Sequence, residues 1–261
     1  MPRTFYGPYG SQYNTHAEPA PGNTGLFPLG SKLVLADERE YRYTLNDGNA
    51  EIAGDLYESI APDSAHGGTT GIVADVARAV GAVAISGTLG ASAAAVDLYS
   101  EGLVTITGVT VATGQGFAFR IARAIAAGQA HAAVLSSGII TVNLEAGESV
   151  QVALTTSSEM AFTRNRWDSV VLKPGATAVA LPAGVAPIAA GANRYYYGQT
   201  RGLAAVLQAA SVLIGDPAVG STGTAGAVMP SAAFHTDGPN VGTCALVVST
   251  ADYCVLDLTI A

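Results

Sequence analysis

Glycine-containing turns cut this chain, at a spacing of roughly 8–12 residues, into short runs rich in Val, Ile, Thr and Tyr, the pattern of an all-β sandwich or barrel. No coiled-coil heptad and no repeat of fixed period runs through it. The runs are KLVLA (32–36), REYRYTLN (39–46), LVTITGVTV (103–111), FAFRIARAI (117–125), GIITVNL (138–144), SVQVALTT (149–156) and MAFTRN (160–165). In the second, Tyr41 and Tyr43 alternate with Arg42, the period of a half-buried strand, and Asn46-Asp47-Gly48 supplies a turn. Residues 72–96 are ambiguous, because alanine favours helix while Gly, Val, Ile and Thr favour strand; the strand reading is preferred.

Residues 174–193 combine Pro, Gly and Ala with no charge and read as a connection to a second unit, in which SVLIG, AVG, GAVMP, TCALVVS and YCVLDLTIA follow as short strands. The expected organisation is an extended N-terminal arm (1–28), a sandwich or barrel-like β domain (29–180) and a small C-terminal β-barrel (181–261). The arm is rich in Tyr, Gly, Pro, Ser and Asn without a period. Its aromatics Phe5, Tyr6, Tyr9 and Tyr13 either grip a neighbouring subunit or fold back on their own.

Charged residues are only 12% of the 261, so the surface is mostly Ala, Gly, Ser and Thr, and a surface so lean in charge suits a protein covered in use. The net charge of −8 and the lack of a basic cluster argue against nucleic acid as a direct partner. No apolar run reaches the ~20 residues of a membrane-spanning helix, and the first 21 residues lack the apolar core of a secretory signal, so a soluble protein is expected.

Neither a catalytic nor a cofactor constellation emerges. His16, His66, His131 and His235 have no second ligand at metal spacing. Gly114 and Gly116 complete neither a dinucleotide fingerprint nor a P-loop, and Gly220-Ser221-Thr222-Gly223 is not a nucleophile elbow. The expectation is no enzyme, no metal and no cofactor. With residues 249–252 as a loop, Val248 faces Tyr253 and Cys244 faces Asp257, which leaves Cys244 and Cys254 unable to bridge and reads them as small buried apolar residues.

The stretch RYYYGQTRGLAAVL (194–207) is the richest in side-chain chemistry. As a strand it sends Tyr195, Tyr197 and Gln199 to one face and Arg194, Tyr196 and Thr200 to the other, with Gly198 free to kink or bulge. Tyr195, Tyr197, Gln199 and Arg201 are candidate interface residues, since Tyr and Arg are enriched at interfaces. The alternative is a carbohydrate-binding head-fibre or tail-adhesion protein, with Tyr195, Tyr197, Gln199 and Trp167 as a sugar platform. A secreted hydrolase, the remaining reading, needs a convergent acid, base or nucleophile that is not in evidence.

Taken in order, PLGSKLVLADEREYRYTLNDGNAEIAGDLYE, VGAVAISGTLGASAAAVDLYSEGLVTIT, GQGFAFRI, VALTTSSEMAFTRNRWDSVVLKP, YYYGQTRGLAAVL and VGTCALVVSTADYCVLDLTI resemble structural proteins of tailed bacteriophages, of the capsid decoration (cement) or minor head type, from Leu29 to Ile260. The resemblance implies a β-rich virion protein on the capsid exterior, made in the host cytoplasm. Such a protein binds the major capsid protein, often as a homotrimer at local three-fold positions, and carries no catalytic residue or cofactor. The arm lies outside this resemblance, and its role as a strap between subunits is inferred from composition.

Overall fold

The computed structural model of the protein describes residues 4–8, 10–14, 16–17, 26–67, 72–108, 116–124, 129–178, 180–231, 238–249 and 252–260, with backbone alone at 16–17. It is all-β: 42% of it is strand and no helix reaches seven residues. The described residues group into two units, one formed by 4–17, 26–61 and 166–260, the other by 62–165. The first unit is therefore discontinuous in sequence, and neither boundary falls at the 28/29 or 180/181 junctions expected from composition.

The first unit contains β1 (Thr4–Tyr6), β2 (His16–Ala17), β3 (Lys32–Val34), β4 (Glu40–Leu45) and β5 (Leu56–Glu58). The second contributes β6 (Ile72–Val73), β7 (Ala84–Thr88), β8 (Leu103–Ile106), β9 (Ala118–Arg120), β10 (Ile139–Asn143) and β11 (Glu159–Thr163). The chain then returns to the first unit with β12 (Val171–Leu172), β13 (Pro182–Val185), β14 (Arg194–Leu207), β15 (Pro217–Gly220), β16 (Val228–Pro230), β17 (Asn240–Leu246) and β18 (Tyr253–Thr259).

One twelve-stranded sheet organises the first unit, in the order β1-β3-β4-β14-β18-β17-β15-β16, with β2, β5, β12 and β13 joined off this path. It stays open, as does every sheet among the described residues, so the barrel expected for residues 181–261 is replaced by strands of this sheet. Residues 182–185, expected within a connection, are strand β13, which pairs with both β5 and β14. Their apolar side chains are wholly buried there, which is why an uncharged Pro/Gly/Ala segment suits the place. SVLIG forms no strand; Leu213 and Ile214 stand exposed at a turn instead.

The second unit has a two-stranded sheet, β10-β7, and a four-stranded sheet, β6-β11-β8-β9. Both bury alternate residues in one apolar core that includes Ile85, Ile140 and Val142 from the first sheet and Val104, Ile106, Met160 and Phe162 from the second. Residues 72–96 are non-helical, as preferred above, with β6, β7 and isolated bridges at Ala74 and Arg78. Residues 149–156 keep only a bridge, Leu154 to Arg78, in place of the expected strand.

The cysteine hairpin is real but its register is not the expected one. Cys244 lies opposite Leu256, not Asp257, because a bulge between Cys244 and Leu246 inserts a residue into β17. Both thiols are free and buried, donating to the carbonyls of Val212 and Val206 at 3.2 and 3.4 Å. Burial pushes the Cys254 thiol up to about 11.

Candidate functional site

The stretch that stood out in the sequence is the spine of the first unit, β14. Its first half pairs with β4, placing Tyr195 opposite Leu45, Tyr197 opposite Tyr43 and Gln199 opposite Tyr41. Tyr195 and Tyr197 go to one face, where they pack with Leu33, Leu45, Tyr41 and Tyr43. Tyr196 goes to the other, among Tyr57, Val170, Ala183, Ala186 and Ala190. The alternation is as expected, but both faces are covered. Tyr43 stacks on Tyr195 at 5.2 Å with rings 3° from parallel and meets Tyr197 at 5.3 Å.

Gln199 is also internal, its amide donating to the carbonyls of Arg201 (3.1 Å) and Leu203 (2.9 Å). It holds the irregularity that falls between Gln199 and Arg201 rather than at Gly198. Tyr195, Tyr197 and Gln199 are thus corrected from interface residues to core residues: three aromatic or amide groups too large to leave half covered are enclosed by strands distant in sequence. The sugar platform loses the same three residues. Trp167, its fourth member, has the guanidinium groups of Arg42 and Arg166 over its ring, 5.2 and 5.7 Å from the ring centre. Gly30, at φ +78°, leaves room for that ring, since a Cβ there would sit 2.4 Å from it.

Arg201 remains at the surface, 68% exposed, with Glu40 at 3.7 Å. The arm divides its candidates. Thr4–Tyr6 pairs in parallel with Lys32–Val34, so the described part of the arm lies on its own chain. Phe5 packs inward, 4.6 Å from Phe27. Tyr6 and Tyr13 point outward, 84% and 50% exposed. Tyr9 lies outside the described residues, as do His235 and Gly114.

Beyond Gln199 the environment of β14 changes. Register aligns Leu203 with Asp257, Ala205 with Val255 and Leu207 with Tyr253, while Leu246 of β17 lies opposite Val255. One face of these three strands enters the core through Ala204, Val206, Cys254 and Leu256. The other carries Leu203 (56% exposed), Tyr253 (43%) and Leu246 (52%) to the outside, with Arg201 and Asp257 at one end. Alternation in LAAVL and YCVLDL is the sequence signal of this face, a strand with apolar residues on both sides. A cleft of about 390 Å³ opens beside it, lined by Tyr13, Arg39, Gly54, Gln199, Leu203 and Tyr253 among others. Gly54, at φ +84°, lets the Tyr253 ring come close to its backbone; a Cβ would stand 2.4 Å from that ring.

The buried ionisable groups are tied into the fold. Lys173 sends its ammonium to the carbonyls of Pro174 and Ser221 (both 2.6 Å), and burial lowers it against the opposing pull of Glu58. Glu51, fixed by reciprocal backbone bonds with Ala190, is pushed by burial up to about 8 although the Tyr196 hydroxyl beside it favours ionisation. Burial raises Asp55 to about 6. No group of three or more His, Cys, Asp or Glu able to hold a metal ion occurs among the described residues.

Comparison with protein-family models, with curated proteins and with solved structures gives no match to this chain.

Proposed function

We propose that this chain is a non-enzymatic structural protein of a tailed-phage virion that binds the major capsid protein on the exterior of the icosahedral head and stabilises the shell, associating with copies of itself as a trimer at local three-fold positions. The observation that carries the reading is the outward apolar face of β14, β18 and β17. Leucines and a tyrosine exposed on one face of the sheet, in a protein with few charges, suit burial against another protein surface. The ordered resemblance from Leu29 to Ile260 supplies the class of partner. Tyr6 and Tyr13, held outward by an arm pinned to β3, add aromatic contacts of the kind that anchor interfaces.

Co-sedimentation with shells assembled from the major capsid protein alone tests this. Saturable binding at a fixed ratio to the capsid subunit is expected, and Leu203→Lys together with Leu246→Lys should reduce occupancy at least tenfold. Protein that stays in the supernatant, or double-variant protein that decorates as well as the parent, overturns the assignment.

A further inference from the structure

Two histidines of the second unit sit in its interior, His66 fully buried and His131 2% exposed, joined through Tyr99. His66 Nε2 lies 3.0 Å from the carbonyl of Ser92 and so carries the proton that donates to it; Nδ1 then accepts from the Tyr99 hydroxyl. His131 has the opposite tautomer. Its Nδ1 lies 2.9 Å from the carbonyl of Ala132 and donates, while its Nε2 accepts the backbone N–H of Tyr99 at 3.1 Å.

The two respond differently to a proton. Protonated His66 would donate from Nδ1, and the Tyr99 hydroxyl can turn from donor to acceptor, with the Asp63 carboxylate 3.6 Å away to take up the charge. The partner of His131 has no such freedom, because a backbone N–H only donates. Protonation there sets two N–H groups against each other in the core beside Phe162, whose ring is 5.5 Å from Tyr99.

We propose that His131 is an acid-operated latch: its neutral imidazole holds the turn at residues 97–101 against residues 130–132, and protonation releases the two segments from each other. The same junction is held by Asp97, whose Oδ1 accepts the N–H groups of Ala130 and His131 at 3.0 and 3.1 Å, and by the Asp97 N–H donating to the carbonyl of His131 at 3.2 Å. The other charged groups around it are Asp63, Arg164 near the Tyr99 ring, and Glu101, which is paired with Arg123 at 2.8 Å. Burial lowers His131 below its ordinary 6.5, against the opposing pulls of the Ala132 carbonyl and Asp97. A depressed imidazole contributes stability above the unfolded value that is lost as pH falls below it.

Amide hydrogen exchange of the full chain, followed in peptides covering 94–101 and 129–134 and corrected for the intrinsic pH dependence, tests the latch. One linked proton predicts that protection falls by up to tenfold per pH unit below about 6.5. Peptides from the first unit should not follow that slope. His131→Gln retains an acceptor near the Nε2 position without a titrating proton, and should keep protection at pH 7 while abolishing the acid slope. An unchanged slope in His131→Gln places the titrating group elsewhere and overturns the proposal. If the variant does not fold, nitrogen chemical shifts of the parent decide: His131 as the Nδ1–H tautomer, titrating below 6.5, is expected, and an imidazole that titrates at or above 6.5 sinks the latch.

Discussion

The titratable groups that burial shifts near neutral pH differ between the two units. The first holds acids whose folded-state values burial raises, Glu51 to about 8 and Asp55 to about 6, in a unit whose cores are rich in tyrosine. The second holds His131, whose imidazole burial lowers below its ordinary value, in a core of aliphatic side chains with Tyr99, Phe119 and Phe162. Their stabilities should therefore move in opposite directions with pH, although one chain passes through both.

Trp167 is the sole tryptophan and belongs to the first unit, so its fluorescence reports that unit selectively. The sharpest break between the units comes from Tyr43→Ala, which removes the ring that stacks on Tyr195 and meets Tyr197 and Phe27. A loss of about 3–5 kcal/mol is expected in the Trp167-monitored transition, with exchange protection in β8 and β11 little changed. Equal losses in both units would show that they unfold as one and end the comparison.

The pH response is next in size. A carboxyl raised in the folded state contributes stability that is present below its unfolded value and disappears as pH climbs through the folded one. The denaturation midpoint read from Trp167 should fall between pH 5 and pH 8, by an amount on the order of a few kcal/mol in stability, and Glu51→Gln should flatten the portion above pH 6. A midpoint that holds steady or rises over this range removes Glu51 from the argument. Gly30→Ala tests the packing of the reporter itself: it forces a side chain onto the Trp167 ring at a positive φ and should cost about 1–3 kcal/mol while shifting the emission maximum.

The smallest effect on stability is expected on the outward face. Leu203→Lys puts an ammonium opposite Asp257 on solvent-exposed sheet and should change stability by no more than about 0.5 kcal/mol. Its consequence should appear in shell binding alone. A destabilisation of 2 kcal/mol or more, on the scale of a lost core contact, would mean that this face is covered within the subunit, as the first half of β14 is.

Turn spacing, strand-favouring composition and, in β4, alternation were enough to place β4, β8, β10 and β11, and residues 194–207, taken as a strand, put Tyr195 and Tyr197 on the face opposite Tyr196. These are consequences of backbone geometry and of residues next to one another in the chain, and they need no knowledge of partners. What covers each face was not legible. Tyr195, Tyr197 and Gln199 look like a surface until β4 is laid beside them from 150 residues away, whereas the outward side of Leu203 and Leu246 shows only once β14, β18 and β17 are paired. The bulge in β17 moved Cys244 from Asp257 to Leu256 for the same reason, since an extra residue in one strand shows only against its partner. Nor does a segment such as 182–185 carry strand alternation, because a strand buried on both faces needs only small apolar residues on both. Local pattern located the strands whose own residues carry it; long-range pairing decided where the others form and which faces meet water, and so which residues are free to bind.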